Sequence, residues 1–238
     1  MAKKLINKSV VLNVVGTLII ITGVLMALAI PFSFYYNDGM QWVFIQSTLI
    51  TISIGLLIKY LTRKKKDDEV KKREGYLIVA LGWTGMIICS AIPYLLSGTF
   101  DGVTNAFFET ISGLTTTGSS ILNNIEEMPE SILFWRSMTQ WIGGMGIIVL
   151  TIAILPLLGV GGMELFTSEA PGPTKDKIHP RIKETAKRLW LIYVFLTVLE
   201  TVLLWFAGMS FFDAINHALT NVSTGGFSTK QADRKSVV

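Results

Sequence analysis

The sequence predicts an all-α polytopic membrane protein, built from span, half-helix, span repeats with re-entrant loops. Half of the 238 residues are hydrophobic and only 16% are charged, which argues against a soluble globular domain. Several uncharged runs are long enough to cross a bilayer, whereas two apolar segments are too short and lead into polar, glycine-containing stretches. Lys and Arg concentrate in blocks between the apolar runs, as membrane topology requires.

The first part of the chain contains three predicted spans. Residues 10–34 form an uncharged run that is long enough to cross roughly 30 Å of hydrocarbon. A second span at about 40–61 follows directly, which argues against a cleaved signal peptide. These two spans form an amino-terminal segment, 1–62, which precedes a basic loop at 63–75 and a third span at about 76–96.

The rest of the chain alternates short and long apolar segments. An apolar-periodic piece at about 104–113 is too short to span and predicts a half-helix. Spans at about 131–158 and 189–208 follow, and a second half-helix is predicted at 211–222. The predicted organisation continues with a first repeat at 76–158, a cytoplasmic loop at 159–188, an incomplete second repeat at 189–229 and an atypical tail at 230–238.

The distribution of basic residues predicts the topology. Seventeen of the 21 Lys and Arg lie in the amino-terminal tail and the two basic loops, which five spans would place on one side of the membrane. The positive-inside rule makes that side cytoplasmic, together with the amino terminus. The overall charge of +4 therefore reflects topology and does not indicate nucleic-acid binding. The single cysteine, Cys89, excludes an intrachain disulfide.

Two polar, glycine-containing stretches follow the half-helices, and both would enter the membrane from outside. The first stretch is Leu114–Ser120 and the second stretch is Val222–Thr229, which align without a gap at an offset of 108 residues. Irregular backbone at membrane depth is tolerated only where it is buried in protein or lines a water-filled path. Backbone carbonyls can replace the hydration shell of a cation, and the carboxyl end of each half-helix also favours a cation. The predicted ion-binding residues are Thr115, Thr116, Thr117, Gly118, Ser223, Thr224, Gly225 and Gly226.

Five ionisable or polar side chains near the stretches are predicted to support them. Arg136 lies in the outer end of the fourth span, where it would pair with Glu109 or with another external acid. Glu200 would either lie on an ion path or pair with a partner, from a neighbouring helix or from a part of the protein that this sequence lacks. His217 and Asn221, on the second half-helix, are expected to brace the second stretch by hydrogen bonds.

Four segments of the chain carry a recognisable combination of motifs: Glu109–Ser119, Trp135–Pro156, Pro171–Arg188 and Asn221–Thr229. Together they resemble the membrane subunit of bacterial Trk/Ktr potassium-uptake systems. The resemblance implies four repeats around one pore, with Gly118 and Gly226 as filter glycines. It also implies potassium as the transported ligand, at Thr116, Thr117, Thr224 and Gly225, with no cofactor in this chain. Two spans ahead of the first repeat favour the Trk branch.

The same resemblance implies a location and partners. Such subunits are multi-pass proteins of the bacterial inner membrane, and they typically form homodimers. They work with a peripheral cytoplasmic nucleotide-binding regulatory subunit. No nucleic-acid partner is expected.

The chain ends directly after the second stretch, whereas the family pattern would continue with another span and two further repeats. We therefore expect a truncation to the amino-terminal half of such a subunit. The leading function is potassium uptake, and a non-conducting interaction fragment is one alternative. A membrane enzyme using Asp176, His179 and Glu184 is another. No catalytic motif accompanies these three residues, so the chain is predicted not to be an enzyme.

Overall fold

The computed structural model describes residues 7–62, 72–158 and 178–231, with side chains at 7–62, 73–146 and 184–231. Every regular element in these ranges is a helix, so the predicted all-α fold class is confirmed for the described part of the chain. The predicted loops fall mostly outside the described residues, at 63–71 and 159–177. Asp176 and the tail residues 232–238 also lie outside them.

The amino-terminal segment forms a helical hairpin. Its helices are α1 (Lys8–Met26), α2 (Ala29–Tyr36) and α3 (Gln41–Leu61). The turn between α1 and α2 has a local cause, because Pro31 has no N–H to donate to the carbonyl of Ala27. That carbonyl instead accepts a hydrogen bond from the N–H of Ile30, at 3.1 Å. Helix α2 ends at Tyr36, and the next residue, Asn37, adopts the left-handed conformation with φ 53°.

The segments predicted as two repeats supply the remaining helices. These are α4 (Lys72–Ser90), α5 (Ile92–Ser97), α6 (Val103–Leu114), α7 (Glu130–Leu158), α8 (Ile178–Phe206) and α9 (Phe211–Val222). Helices α6 and α9 coincide with the two predicted half-helices, and each has 12 residues, too few for the roughly 20 that a crossing requires. Helix α8 begins at Ile178, before the predicted span start at 189, because its basic first turns consist mainly of good helix formers.

Helices of membrane-crossing length run through the described part of the chain. Four segments there have the necessary length and hydropathy: Lys8–Tyr36, Gln41–Leu61, Arg73–Ser97 and Glu184–Phe206. Helix α7, with 29 residues, exceeds the same length of roughly 20 residues. The chain is therefore a polytopic membrane protein.

Helix α7 lies at the centre of the packing. It contacts both half-helices, α6 and α9, as well as α2, α4 and α8. The indole N–H of its buried Trp135 donates to the carbonyl of Ser90 at 3.0 Å, which joins α7 to the end of α4. The half-helices are thus held against one long helix, and this position organises the site described next.

Candidate functional site

The first stretch leaves helix α6 through a tight, hydrogen-bonded turn. The N–H of Thr116 donates to the carbonyl of Gly113 at 2.9 Å, and the N–H of Thr117 donates to that of Ser112 at 2.9 Å. Bonds that reach back three and five residues are typical of a Schellman helix end. Such an end requires a left-handed residue just past the helix, and Thr116 takes that role with φ 54°.

The second stretch leaves helix α9 in the same way. The N–H of Thr224 donates to the carbonyl of Asn221 at 2.8 Å, and that of Gly225 donates to the carbonyl of Thr220 at 2.7 Å. Thr224 is the left-handed residue, with φ 55°. Each participant stands 108 residues after its counterpart in the first stretch. The sequence repeat is therefore also a repeat of backbone conformation.

Threonine is an unusual residue for this conformation. A β-branched residue at positive φ is a genuine outlier, and such a conformation costs about 1–3 kcal/mol and persists where the surroundings over-determine it. Two residues later each stretch has a glycine at positive φ, Gly118 at 77° and Gly226 at 80°. The sign of φ thus alternates along both stretches. This pattern departs from a β-strand, in which successive residues face opposite sides.

The hydrogen bonds at the helix ends determine where two carbonyls point. The described chain has no cis peptide bond, and the N–H and C=O of a planar trans peptide point in opposite directions. Because the N–H of Thr117 is directed back at α6, the carbonyl of Thr116 points away from that helix. By the same reasoning the carbonyl of Thr224 points away from α9, since the N–H of Gly225 is directed back at it.

A side chain from α7 holds the second stretch. The side-chain amide of Gln140 donates to the carbonyl of Gly225 at 2.8 Å and accepts from the N–H of Phe227 at 3.0 Å. The carbonyl of Gly225 is therefore directed at protein, although Gly225 was predicted as a potassium position. Gln140 was not among the predicted site residues. It carries no sequence signal, because its partners are 85 and 87 residues away.

The two stretches meet at Gly118. A Cβ atom at this position would lie 2.3 Å from the carbonyl oxygen of Gly225, far inside van der Waals contact. Gly226, by contrast, has nothing within 4 Å of its Cβ direction. Gly118 is therefore needed both for its positive φ and for the close approach of the two stretches.

Arg136 and Glu109 form a buried ion pair behind the first stretch. Their side chains are 2% and 0% exposed, and two guanidinium nitrogens lie 2.8 and 2.9 Å from Oε1 of Glu109. The other carboxylate oxygen accepts from the N–H of Ile121 at 3.2 Å. The sequence left two partners open for Arg136, Glu109 or another external acid, and in the structure Arg136 pairs with Glu109.

Arg136 also contacts both stretches. Its guanidinium donates to Oγ of Ser120 at 3.2 Å and to the carbonyl of Ser228 at 3.4 Å. Ser120 and Ser228 occupy equivalent positions of the repeat. The guanidinium carbon also lies 4.2 Å from the centre of the Phe227 ring. The buried guanidinium of Arg136 therefore joins the ends of the two stretches.

The other predicted supporting residues lie on or beside α9. Asn221 donates to Oε1 of Glu200 on α8 at 2.9 Å, so its side chain joins α9 to α8 and does not brace the second stretch as predicted. His217 lies on α9, at the repeat position of Glu109. At the start of α9, Asp213 accepts from Oγ1 of Thr229 at 2.6 Å, which ties the end of the second stretch to the beginning of its half-helix.

Of the three residues considered for a membrane enzyme, only Glu184 has a described side chain. Glu184 is exposed on α8, while Asp176 and the side chain of His179 lie outside the described residues. No cluster of three or more His, Cys, Asp or Glu suited to a metal ion occurs in the part of the chain with described side chains.

Comparisons with known proteins agree with this architecture. Residues 40–234 match the TrkH family, described as a cation transport protein. The chain is 49% identical over 222 residues to the Trk system potassium uptake protein TrkH of Escherichia coli, covering 92% of this chain and 46% of that protein. It is 44% identical to TrkH of Halomonas elongata, covering 93% and 46%. The crystal structure of the potassium transporter TrkH from Vibrio parahaemolyticus superposes with a TM-score of 0.81 at 39% identity, over 94% of this chain and 45% of that one. The chain thus spans about half the length of these relatives.

Proposed function

Because the chain belongs to the TrkH family of cation transport proteins, we propose that its two stretches line part of a potassium-uptake pore. The family is one of transporters and not of enzymes. The relatives are named as potassium uptake proteins, and the chain covers about half of their length. The proposal for this chain is therefore a contribution of two pore-lining segments.

The observation that carries the proposal is the shared backbone conformation of the two stretches. Both turn a threonine carbonyl, at Thr116 and Thr224, away from the half-helix, and both then place a glycine at positive φ. Carbonyl oxygens arranged in this way can take the place of cation hydration without a charged side chain. The partial negative charge at the carboxyl ends of α6 and α9 adds to the attraction.

We assign the ion-coordinating backbone within the predicted set. In the first stretch it comprises Thr115, Thr116, Thr117 and Gly118, and in the second it comprises Ser223, Thr224 and Gly226. Gly225 has a different role, because its carbonyl accepts from Gln140 and packs against Gly118. Glu109, Arg136, Glu200 and Asn221 act on the path indirectly, through the half-helices and the stretch ends.

The remaining assignments rest on charge distribution and family resemblance. We propose a bacterial inner-membrane location with a cytoplasmic amino terminus, which the basic residues of the tail and loops support. We further propose that the protein works as a homodimer with a peripheral cytoplasmic nucleotide-binding subunit.

A chimera tests the proposal. This chain would replace the matching part of the Escherichia coli relative, and the product would be expressed in a strain deficient in potassium uptake. We expect growth at low potassium and uptake of rubidium as a tracer. Gly118→Ala should abolish both, because the new methyl group would collide with the carbonyl of Gly225.

A matched control is Gly39→Ala. Gly39 has φ 77°, the same as Gly118, but nothing lies within 4 Å of its Cβ direction. It therefore carries the same backbone strain without the steric clash, and transport should persist. A chimera that reaches the membrane but does not restore growth would refute the proposal and favour the non-conducting fragment. Unchanged rubidium uptake by Gly118→Ala would show that the first stretch does not line the potassium pore.

A further inference from the structure

Gln140 is a fully buried amide that reaches from the first repeat into the second. Its side chain is 0% exposed, and both of its polar atoms have backbone partners on the second stretch. Its orientation is unambiguous, because the carbonyl of Gly225 can only accept a hydrogen bond and the N–H of Phe227 can only donate one. The side chain thus pairs with the stretch as a neighbouring β-strand would.

This pairing sets the two peptide planes on either side of Gly226. The N–H of Phe227 belongs to the same peptide as the carbonyl of Gly226, and the two point in opposite directions in a trans peptide. Since that N–H is directed at Gln140, the carbonyl of Gly226 points away from α7. Gly226 is exposed while Gly225 and Phe227 are buried, so this carbonyl is on the open side of the stretch.

The fit around Gln140 is close. A Cβ atom at Gly225 would lie 2.3 Å from both Cδ and Oε1 of Gln140, so the backbone could not approach the amide if this residue had a side chain. One helical turn earlier, Arg136 donates to the carbonyl of Ser228. Positions four residues apart lie on the same face of a helix. One face of α7 therefore holds the stretch from Gly225 to Ser228.

We propose that Gln140 is a positioning residue for cation selectivity, which aims the carbonyl of Gly226 at the ion path and turns that of Gly225 away from it. This inference rests on the proposed function of the stretches. It adds a contribution of the first repeat to the ion-binding geometry of the second. Gln140 itself does not touch the ion.

The consequence of losing this amide follows from the flexibility of glycine. Gly226 has φ 80° and open space around it, and glycine adopts positive and negative φ about equally well. Without Gln140 the peptide between Gly226 and Phe227 can rotate and replace the carbonyl by an N–H, which repels a cation. We expect potassium-over-sodium discrimination to fall about tenfold, equivalent to roughly one lost hydrogen bond.

The first test is Gln140→Met in the chimera described above. Methionine keeps the length of the unbranched side chain and removes both hydrogen bonds. The control is Ser137→Ala, since Ser137 is also buried on α7 but its hydroxyl donates only to Leu133 of the same helix, at 3.2 Å. The measurements are the ratio of rubidium to sodium uptake and the amount of folded protein in the membrane. We expect the ratio to fall for Gln140→Met alone.

Amide hydrogen exchange on the purified chain provides a readout that does not depend on transport. Exchange at Phe227 should accelerate in Gln140→Met, while Thr117, which is bonded within the end of α6, keeps its protection. If Gln140→Met does not fold, Gln140→Asn takes its place, because its shorter side chain retains the amide but cannot reach both partners. Unchanged exchange at Phe227 together with an unchanged uptake ratio would overturn the inference. A parent chimera without uptake would refute the proposed function, while the exchange rate at Phe227 would still show whether Gln140 holds this peptide in place.

Discussion

At the scale of single residues, the buried pair of Arg136 and Glu109 has a large energetic consequence. Removing two charges from water costs several kcal/mol per ion, and the mutual attraction repays this only with good geometry and further hydrogen bonds. Here the carboxylate also binds the N–H of Ile121, and the guanidinium also binds Ser120 and Ser228. Both charged groups therefore have the further hydrogen bonds that a buried ion pair needs, and the pair stabilises the fold only while both residues are present.

We predict that Arg136→Ala lowers the free energy of unfolding by about 3–5 kcal/mol, because it leaves the carboxylate of Glu109 buried without a partner. Thermal unfolding of the detergent-purified protein measures the change. The matched control is Lys230→Ala, since Lys230 is 51% exposed and its nitrogen lies 4.0 Å from Asp213. Exposed pairs of this kind contribute little. Equal losses in the two variants would show that the buried pair has no special role.

Asp38 links the amino-terminal hairpin to α7 through hydrogen bonds. One carboxylate oxygen accepts from the N–H of Ser131, at 2.9 Å, in the first turn of α7. The other accepts from the N–H of Met40 at 3.0 Å and from the hydroxyl of Ser33. Partial burial by itself would raise the pKa of Asp38, but these hydrogen bonds to the charged form outweigh it and lower the pKa. Asp38 therefore stabilises the fold as an anion at the positive end of α7.

This lowered pKa predicts a pH-dependent stability. A carboxyl whose pKa is lower in the folded state stabilises that state above its unfolded pKa, and the contribution is lost as the pH falls through the folded value. Asp38→Asn should reduce stability by about 1–2 kcal/mol near neutral pH. The difference between parent and variant should shrink below about pH 4. Melting temperatures measured from pH 3 to about pH 7 test this, and a difference that does not change with pH would contradict it.

At the scale of elements, α7 packs against the ends of both half-helices because two of its residues have no side chain. A Cβ atom at Gly143 would lie 2.0 Å from the carbonyl oxygen of Leu114, at the end of α6. A Cβ atom at Gly144 would lie 2.9 Å from the Cβ of Ser223, just after α9. Gly143 thus permits close packing against the end of α6, and the adjacent Gly144 permits it against the residue after α9. Small residues permit this close backbone approach in membrane proteins.

We predict that Gly143→Ala destabilises the protein and displaces α6, because the new methyl group meets backbone and not a flexible side-chain end. Gly146→Ala is the matched control on the same helix. Its Cβ would be 3.6 Å from the ring of Trp83, an ordinary contact, and alanine favours a helix by about 1 kcal/mol over glycine. Gly146→Ala should therefore unfold at an equal or higher temperature than the parent. Comparable melting temperatures for both variants would mean that α7 and α6 are not in tight contact.

At the scale of the whole molecule, the amino-terminal hairpin joins the two repeats. The ring of Phe32, on α2, stacks on that of Phe134 in α7 with centroids 4.1 Å apart. It also meets the ring of Phe212, at the start of α9, edge to face at 6.0 Å. Tyr36 contacts Phe212 as well, at 5.2 Å. The hairpin therefore packs on the first repeat and on the half-helix of the second.

Phe32→Ala should accordingly lower the free energy of unfolding by about 3 kcal/mol, the lower end of the usual range for buried phenylalanines, because Phe32 is only partly buried. It should also increase hydrogen exchange in α9, which Phe32 contacts through Phe212. The control is Phe34→Ala, two positions along the same helix, where the side chain is 62% exposed and faces away from the protein. If exchange in α9 stays at the parental rate in Phe32→Ala, the hairpin does not support the second repeat.

Periodicity and composition predicted the half-helices well, because these features are local. The 12 residues of α6 and the 12 of α9 are apolar segments too short to span, and their alignment at an offset of 108 residues predicted that the stretches after them are alike. The start of α8 was missed by this reasoning. Hydropathy marks the part of a helix that lies in the membrane, whereas the helix itself continues into the basic segment.

The sequence by itself determined the fold class, the positions of the half-helices and the pair of glycine stretches, since each depends on neighbouring residues or on a fixed repeat spacing. Arg136 was already predicted to support the stretches, but only the tertiary structure revealed Gln140 and the backbone atoms that both side chains bind. Gln140 and Arg136 reach partners 85 or more residues away, and hydrogen bonds of such long separation leave no local pattern. The contact of Gly118 with Gly225 likewise depends on how two repeats pack against α7, which spacing alone does not determine.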